Sequence, residues 1–130
     1  MEAEGGNDIV RFTYTGAEGE VIPDEATHIT VAEDCTFVHA EACSRHPNII
    51  EVICHERVKK IERCAFYKCP NLRRVIMPGV KIAEAAAFLE CFALEDVECD
   101  KLEIIEGSVF HGCKSLTMID LPSTRIVAPP

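Results

Sequence analysis

The chain has 130 residues, of which 48% are hydrophobic and 27% are charged, a composition typical of a single folded domain rather than a low-complexity protein. Its 13 Lys and Arg residues against 22 Asp and Glu residues give a formal net charge of −9, which disfavours nucleic acid and anionic membrane surfaces as partners. The apolar runs are a few residues long, far short of the ~20 residues that span a bilayer, so no transmembrane segment is predicted.

The first 26 residues are predicted to form a tail and a cap. Residues 1–8 are expected to be a disordered acidic tail. They lack the basic and apolar regions of a secretory signal, so the expected location is cytoplasmic. In residues 9–26, alternating polar and apolar residues suggest a strand that turns at residues 16–20 and runs back, and this predicts an N-terminal capping hairpin over the open end of a repeat stack.

From residue 27 to residue 130 the sequence repeats every 22 to 23 residues. Four kinds of residue recur every 22 positions in three consecutive copies: Phe66, Phe88 and Phe110; Cys69, Cys91 and Cys113; Leu72, Leu94 and Leu116; Val75, Val97 and Ile119. Each copy ends in an alternating apolar pattern typical of a short strand with one buried side. One strand per repeat, stacked as a parallel ladder, predicts a solenoid of about four coils plus an incomplete last one.

Two further features of the repeat predict how each coil returns to the next. The Ala-Phe-x-x-Cys segment places apolar residues at i, i+1 and i+4, which suits a brief helical or 3₁₀ turn with Phe and Cys pointing inward. Pro78 and Pro122 directly follow predicted strands, where a residue without an amide donor ends the pairing.

These residues resemble the BspA-like leucine-rich repeat, whose units read approximately I-x-x-x-A-F-x-x-C-x-x-L-x-x-V-x-L-P. The resemblance covers about residues 27–127 and is best over Ile61 to Pro78 and Ile105 to Pro122. It implies a right-handed leucine-rich-repeat solenoid with parallel strands on the concave side and a role as a binding module. The first copy departs from the pattern, with Cys43 in the Phe slot and His46 in the Cys slot.

The eight cysteines raise the possibility of disulfides or metal sites. Cys69, Cys91 and Cys113 share one inward slot, which allows either a disulfide or soft-metal ladder or simple packing of a small apolar side chain. We favour packing, because free cysteine is among the most buried residue types.

Two other groups are candidates for chemistry. Cys43 and His46 have metal-like spacing, but zinc sites normally add a second close pair, and both residues fall in inward slots. Glu62, Glu84 and Glu106 recur one residue after the Ile slot and are expected to form a solvated edge rather than a cation site. No catalytic residue, cofactor-binding residue or metal ligand is therefore predicted, and the chain is not expected to be an enzyme.

The outward residues of the predicted strands form the candidate site. Parallel stacking places these side chains side by side on the concave face: Glu51, Ile53, Arg74, Ile76, Asp96, Glu98, Met118 and Asp120. Arg74 is expected to pair with Asp96 and to leave Glu98 and Asp120 without a counter-charge. Apolar residues among charges are typical of protein interfaces, so the site predicts binding of a protein segment that carries an apolar and a basic residue.

Two alternatives remain beside this interpretation. The chain could be a structural piece of a longer repeat array with no binding role of its own, or it could carry a thiol- or metal-dependent site around Cys43 and His46. An uncapped C-terminal end after residue 127 also predicts possible association between copies of the chain, because it would expose unpaired strand edges.

Overall fold

The fold is built from short β-strands joined by tight turns. The computed structural model describes residues 8–117, 119 and 125–126, and the described residues contain no helix. Its strands, in chain order, are β1 Arg11–Tyr14, β2 His28–Val31, β3 Phe37–Val38, β4 Glu51–Ile53, β5 Lys60–Ile61, β6 Arg74–Ile76, β7 Ile82–Ala83, β8 Asp96–Glu98, β9 Ile104–Ile105 and β10 Arg125–Ile126.

The strands form two parallel sheets. One, the long-strand sheet, has the order β1-β2-β4-β6-β8, and the other, the short-strand sheet, has the order β3-β5-β7-β9-β10. In the long-strand sheet Val52 pairs with Val75 and Val75 with Val97, so each step to a neighbouring strand equals one sequence repeat. The predicted parallel-strand solenoid is confirmed, and the interior of each coil packs against the coils on either side.

The short-strand sheet was not predicted, because the repeat indicates only one strand per coil. Each of its strands points the residue at the Ile slot of the repeat inward. The backbone beside this residue forms hydrogen bonds with the neighbouring coil. For example, the Glu62 amide donates to the Val38 carbonyl at 3.0 Å, and the Glu84 amide donates to the Ile61 carbonyl at 2.9 Å. Two residues per strand are too few to show a period of two in the sequence.

The Ala-Phe-x-x-Cys segment forms consecutive turns, and the predicted helical turn is wrong. Each copy contains two residues in the left-handed region, such as Cys64 (φ 57°) and Lys68 (φ 53°), which a right-handed helix does not allow. The Phe66 amide between them donates to the Ala87 carbonyl of the next coil at 2.8 Å. Because alternate amides bond between coils, they are not available for bonds along a helix.

The core is a set of columns that run through the coils. The Phe66 and Phe88 rings stack at a centroid distance of 5.3 Å with 4° between their planes, and the Phe88 and Phe110 rings stack at 5.6 Å with 8°. Val52 and Val75 are fully buried in the same core, as are Ile49 and Leu72 of the same two coils. The predicted continuous phenylalanine column is therefore confirmed.

The N-terminal segment is a first coil rather than a hairpin. Strand β1 runs parallel to β2, with Phe12 opposite Ile29, so the expectation that residues 9–26 fold back on themselves is wrong. The buried Tyr14 hydroxyl accepts a hydrogen bond from the His39 amide at 3.0 Å, next to edge strand β3. Burial raises the pKa of Tyr14 to about 12. The coil still covers one end of the stack, as a cap must.

Two predictions on the ends of the chain fall outside the described residues. The acidic tail comprises residues 1–8, of which only Asp8 is described. The uncapped C-terminal end concerns the residues after 127, and of the incomplete last coil before it the structure describes strand β10. This strand pairs with β9 in the same parallel register as the preceding strands.

Candidate functional site

The outward surface of the long-strand sheet, here called the strand face, carries two rows of side chains that cross the strands. The strand register sets both rows, since it aligns equivalent residues of successive coils. The first, the charged row, runs Arg11, His28, Glu51, Arg74 and Asp96, and the second, the mixed row, runs Thr13, Thr30, Ile53, Ile76 and Glu98.

The strand face brings together six of the eight predicted site residues. They lie on the three neighbouring strands β4, β6 and β8 and form aligned pairs, such as Glu51 with Arg74 and Ile53 with Ile76. Met118 and Asp120 lie outside the described residues. The repeat thus predicts which of the described side chains lie in register, and it places Ile53 beside Ile76 and Arg74 beside Asp96.

Arg74 is the centre of the charge network. Its guanidinium nitrogens lie 3.2 Å from Glu51, 3.2 Å from Asp96 and 3.5 Å from Glu98. The expectation that Arg74 leaves Glu98 without a counter-charge is wrong, because the long side chain of Arg74 reaches both Asp96 and Glu98 on the neighbouring strand β8. One guanidinium nevertheless serves three carboxylates. The pairs with Asp96 and Glu98 are exposed, and each contributes little to stability.

The strands β4, β6 and β8, with the residue before each of them, carry more negative than positive charge. Residues 50–53, 73–76 and 95–98 together hold four carboxylates and two guanidinium groups. The second guanidinium, that of Arg73, pairs with Glu95 at 3.3 Å. The difference is two negative charges. A cation on a partner would therefore be attracted to this part of the face.

His28 belongs to the strand face and was missed from the sequence. Its Nε2 lies 3.6 Å from Glu51, and its Nδ1 lies 2.8 Å from the Thr27 hydroxyl oxygen. The available signal was its position 23 residues before Glu51 in a weakly repetitive coil. A shallow groove of about 310 Å³ is lined by His28, Ile50, Glu51, Arg73, Arg74, Glu95 and Asp96.

Apolar surface lies beside this charged groove. Ile53 is 41% exposed and its strand neighbour Ile76 is half-buried. The large hydrophobic residues that are similarly exposed, Ile9, Val21 and Phe92, belong to none of the five strands of this sheet. The Ile53–Ile76 pair is thus an apolar contact point within a polar surface, which is how protein interfaces are composed.

The outward surface of the short-strand sheet is a second face that the sequence did not indicate. Its central residues are half-buried and lie in register across β3, β5, β7 and β9: Phe37, Lys60, Ile82 and Ile104. The Lys60 ammonium lies 3.4 Å from Glu62 and 3.9 Å from Glu84. Lys60 lies between Phe37 and the two isoleucines, so the apolar residues of this face do not form one continuous surface.

The cysteine column lies in the core, and all eight cysteines are free thiols. The thiols of Cys69, Cys91 and Cys113 each donate to a backbone carbonyl of the preceding coil, at distances of 2.9, 3.0 and 3.1 Å. A hydrogen bond with Cys69, together with burial, raises the pKa of Cys91. Packing of a protonated thiol that donates one hydrogen bond explains why cysteine occupies this position of the repeat.

The residues Cys43 and His46 occupy core positions as well. Burial raises the pKa of Cys43 to about 12, which opposes a reactive thiolate. The His46 Nε2 lies 2.8 Å from the Pro23 carbonyl, and its Nδ1 accepts from the Asn48 amide at 3.2 Å. Both ring nitrogens are thus engaged by the backbone, and among the described residues no cluster of three potential ligands could hold a metal ion.

The glutamate column has a structural role rather than forming a solvated edge. Glu62, Glu84 and Glu106 are half-buried, and each carboxylate accepts a backbone amide of the preceding coil at 3.1 to 3.2 Å. These amides would otherwise lack a partner at the corner after the short strands. The carboxylates are therefore used within the fold.

Comparison with known proteins identifies the repeat. The family model for the BspA type leucine-rich repeat region matches residues 25–127 in six copies. No curated protein and no solved structure matches the chain. No helix in the described part of the chain is long and apolar enough to cross a membrane.

Proposed function

We propose that the chain, which belongs to the BspA-type leucine-rich repeat family, is a non-enzymatic protein-interaction module that binds its partner on the strand face. Leucine-rich repeats of this family form modules that are often used for protein interaction. The proposal rests above all on one observation: exposed Ile53 lies in register with Ile76 beside a surface that carries excess negative charge.

Within the described residues, the candidate cysteines and glutamates are engaged in the fold. The column cysteines and Cys43 are buried or half-buried, and the glutamate column is bonded to backbone amides. A surface formed by side chains from several coils suits an extended partner, because neighbouring coils present their residues at regular intervals.

The partner that fits this face carries an apolar side chain and a basic side chain. The apolar group would cover Ile53 and Ile76, and the basic group would share the carboxylates around Arg74. Binding should weaken as the salt concentration rises, because part of the attraction is between exposed charges.

The experiment is a selection from a random twelve-residue peptide library displayed on phage, with the full chain immobilised. Peptides that bind are then titrated against the double variant Ile53→Ser with Ile76→Ser. We expect a loss of affinity of about tenfold or more, because roughly 1.4 kcal/mol of buried apolar surface corresponds to that factor. The matched control is Val21→Ser, which removes an exposed aliphatic residue outside the sheet, and it should change affinity less than about twofold.

Two results would contradict the proposal. One is a set of selected peptides whose affinities are the same for the double variant and for the wild-type chain. The other is a library that yields no binding peptide at all, which would favour a structural role in a longer repeat array. Far-UV circular dichroism establishes that each variant is folded before it is titrated.

A further inference from the structure

The mixed row of the strand face changes in character from one end to the other. It starts with two hydroxyl residues, continues with Ile53 and Ile76, and ends with the carboxylate of Glu98. A partner segment that crosses the strands would therefore meet polar, apolar and acidic surface in that order.

The spacing of these groups matches an extended peptide. Neighbouring strands lie about 4.8 Å apart, so Glu98 lies about 7 Å, or one and a half strand spacings, from the midpoint between Ile53 and Ile76. Residues i and i+2 of an extended chain point to the same side and lie about 6.7 Å apart. A side chain seated between the two isoleucines thus places the side chain two residues away over Glu98.

Glu98 is able to accept a second cation. Its side chain is 57% exposed, and the Arg74 nitrogen that it faces belongs to a guanidinium shared with Glu51 and Asp96. An added ammonium or guanidinium would reduce the excess negative charge without having to displace Arg74. On the other side of the isoleucine pair, at the same separation, lies the uncharged Thr30.

We infer that the strand face binds an extended segment in which a Lys or Arg lies two residues from an aliphatic anchor, on one side of that anchor only. This inference rests on the proposed function. The anchor packs between Ile53 and Ile76, and the basic residue pairs with Glu98. The residue two positions to the other side faces Thr30 and carries no charge requirement.

The test uses the peptides selected above, so the probe is defined by its sequence. Their alignment should show a basic residue two positions from the aliphatic residue on which binding depends. The substitution Glu98→Gln should weaken these peptides by roughly two- to fivefold, the range expected of an exposed ion pair. The control Glu103→Gln, an exposed carboxylate on the short-strand side of the coil, should leave affinity unchanged.

A charge exchange separates pairing from general attraction. The substitution Glu98→Lys should weaken the binding of a peptide whose Lys lies two residues from the anchor. Replacing that peptide Lys with Glu should restore binding to this variant. Moving that Glu by one position along the peptide, which turns its side chain away from the face, should abolish the restoration.

The outcomes distinguish the two proposals. Peptides that depend on Ile53 and Ile76 but show no basic residue at this spacing and no response to Glu98→Gln overturn the inference, while the binding function stands. Peptides that are indifferent to Ile53 and Ile76 overturn both.

Discussion

The phenylalanine column makes the clearest prediction about stability. Phe88 is completely buried and its ring stacks between those of Phe66 and Phe110, at 5.3 and 5.6 Å. Replacing it with alanine opens a cavity in the middle of the column, because the coils above and below are fixed by backbone hydrogen bonds and cannot close it. Phe→Ala in a core costs about 3–5 kcal/mol, and the loss of two ring contacts places Phe88→Ala toward the upper end.

The chain supplies two matched comparisons for this substitution. Phe110 is half-buried and Phe92 is 45% exposed, so the same change tests the same chemistry at three levels of burial. Phe110→Ala should cost less than Phe88→Ala, and Phe92→Ala should cost less than about 1 kcal/mol, as expected for a surface substitution.

The assay is urea-induced unfolding followed by far-UV circular dichroism, because the chain contains no Trp and its fluorescence signal is weak. The free energy of unfolding is obtained by linear extrapolation to zero urea. A cost for Phe88→Ala that is below about 1 kcal/mol, or no larger than that for Phe92→Ala, would refute the stacked-column arrangement.

Three further predictions concern features of single coils. Gly79 is buried where an added Cβ would overlap the backbone carbonyl of the preceding coil, so Gly79→Ala should destabilise by about 1–3 kcal/mol or more, and an unchanged melting temperature would show that this close approach is absent. Burial raises the pKa of Cys43 and of Cys54 to about 12 from an ordinary value of 9.0, so the folded state keeps protons that the unfolded state loses. Each buried thiol contributes its full stability below pH 9, and this contribution falls as the pH rises toward 12, by about 1 kcal/mol per thiol at pH 10. Between neutral and alkaline pH, the urea midpoint should therefore fall less for Cys54→Ala than for the wild-type chain. Glu84→Ala removes the acceptor of a backbone amide in the preceding coil and should cost about 1 kcal/mol in the same unfolding assay, whereas Glu84→Gln, which keeps an acceptor oxygen, should cost less.

The inward half of the fold could be predicted from the sequence because packing repeats with the coil. Each coil fills the same interior space, so Val52, Val75 and Val97 occupy equivalent positions, and the 22-residue period fixes the parallel register. The same period predicts the register on the strand face, so it places Ile53 beside Ile76 correctly.

The features that were missed depend on backbone hydrogen bonding rather than on side-chain pattern. The left-handed residues Cys64, Lys68, Ala86 and Glu90 belong to types with no strong preference for that conformation. Bonds between coils impose it, and no single repeat shows this requirement. The contact of Arg74 with Glu98 was missed for a different reason, since it depends on the reach of a long side chain and not on strand register.

The contrast between inward and outward positions bears on function. Folding requires the inward residues of the strands to be apolar, but it places no such demand on the outward residues of the same strands. Along the mixed row these outward residues change from Thr30 to Ile53 and Ile76 and then to Glu98, although the inward neighbour changes only between Ile29 and the valines. Ile53 is 41% exposed, so it buries little more surface in the fold than Thr would. Thr also suits strands. We propose that a partner's apolar side chain covers this surface, and the carboxylates beside it favour a partner that is basic.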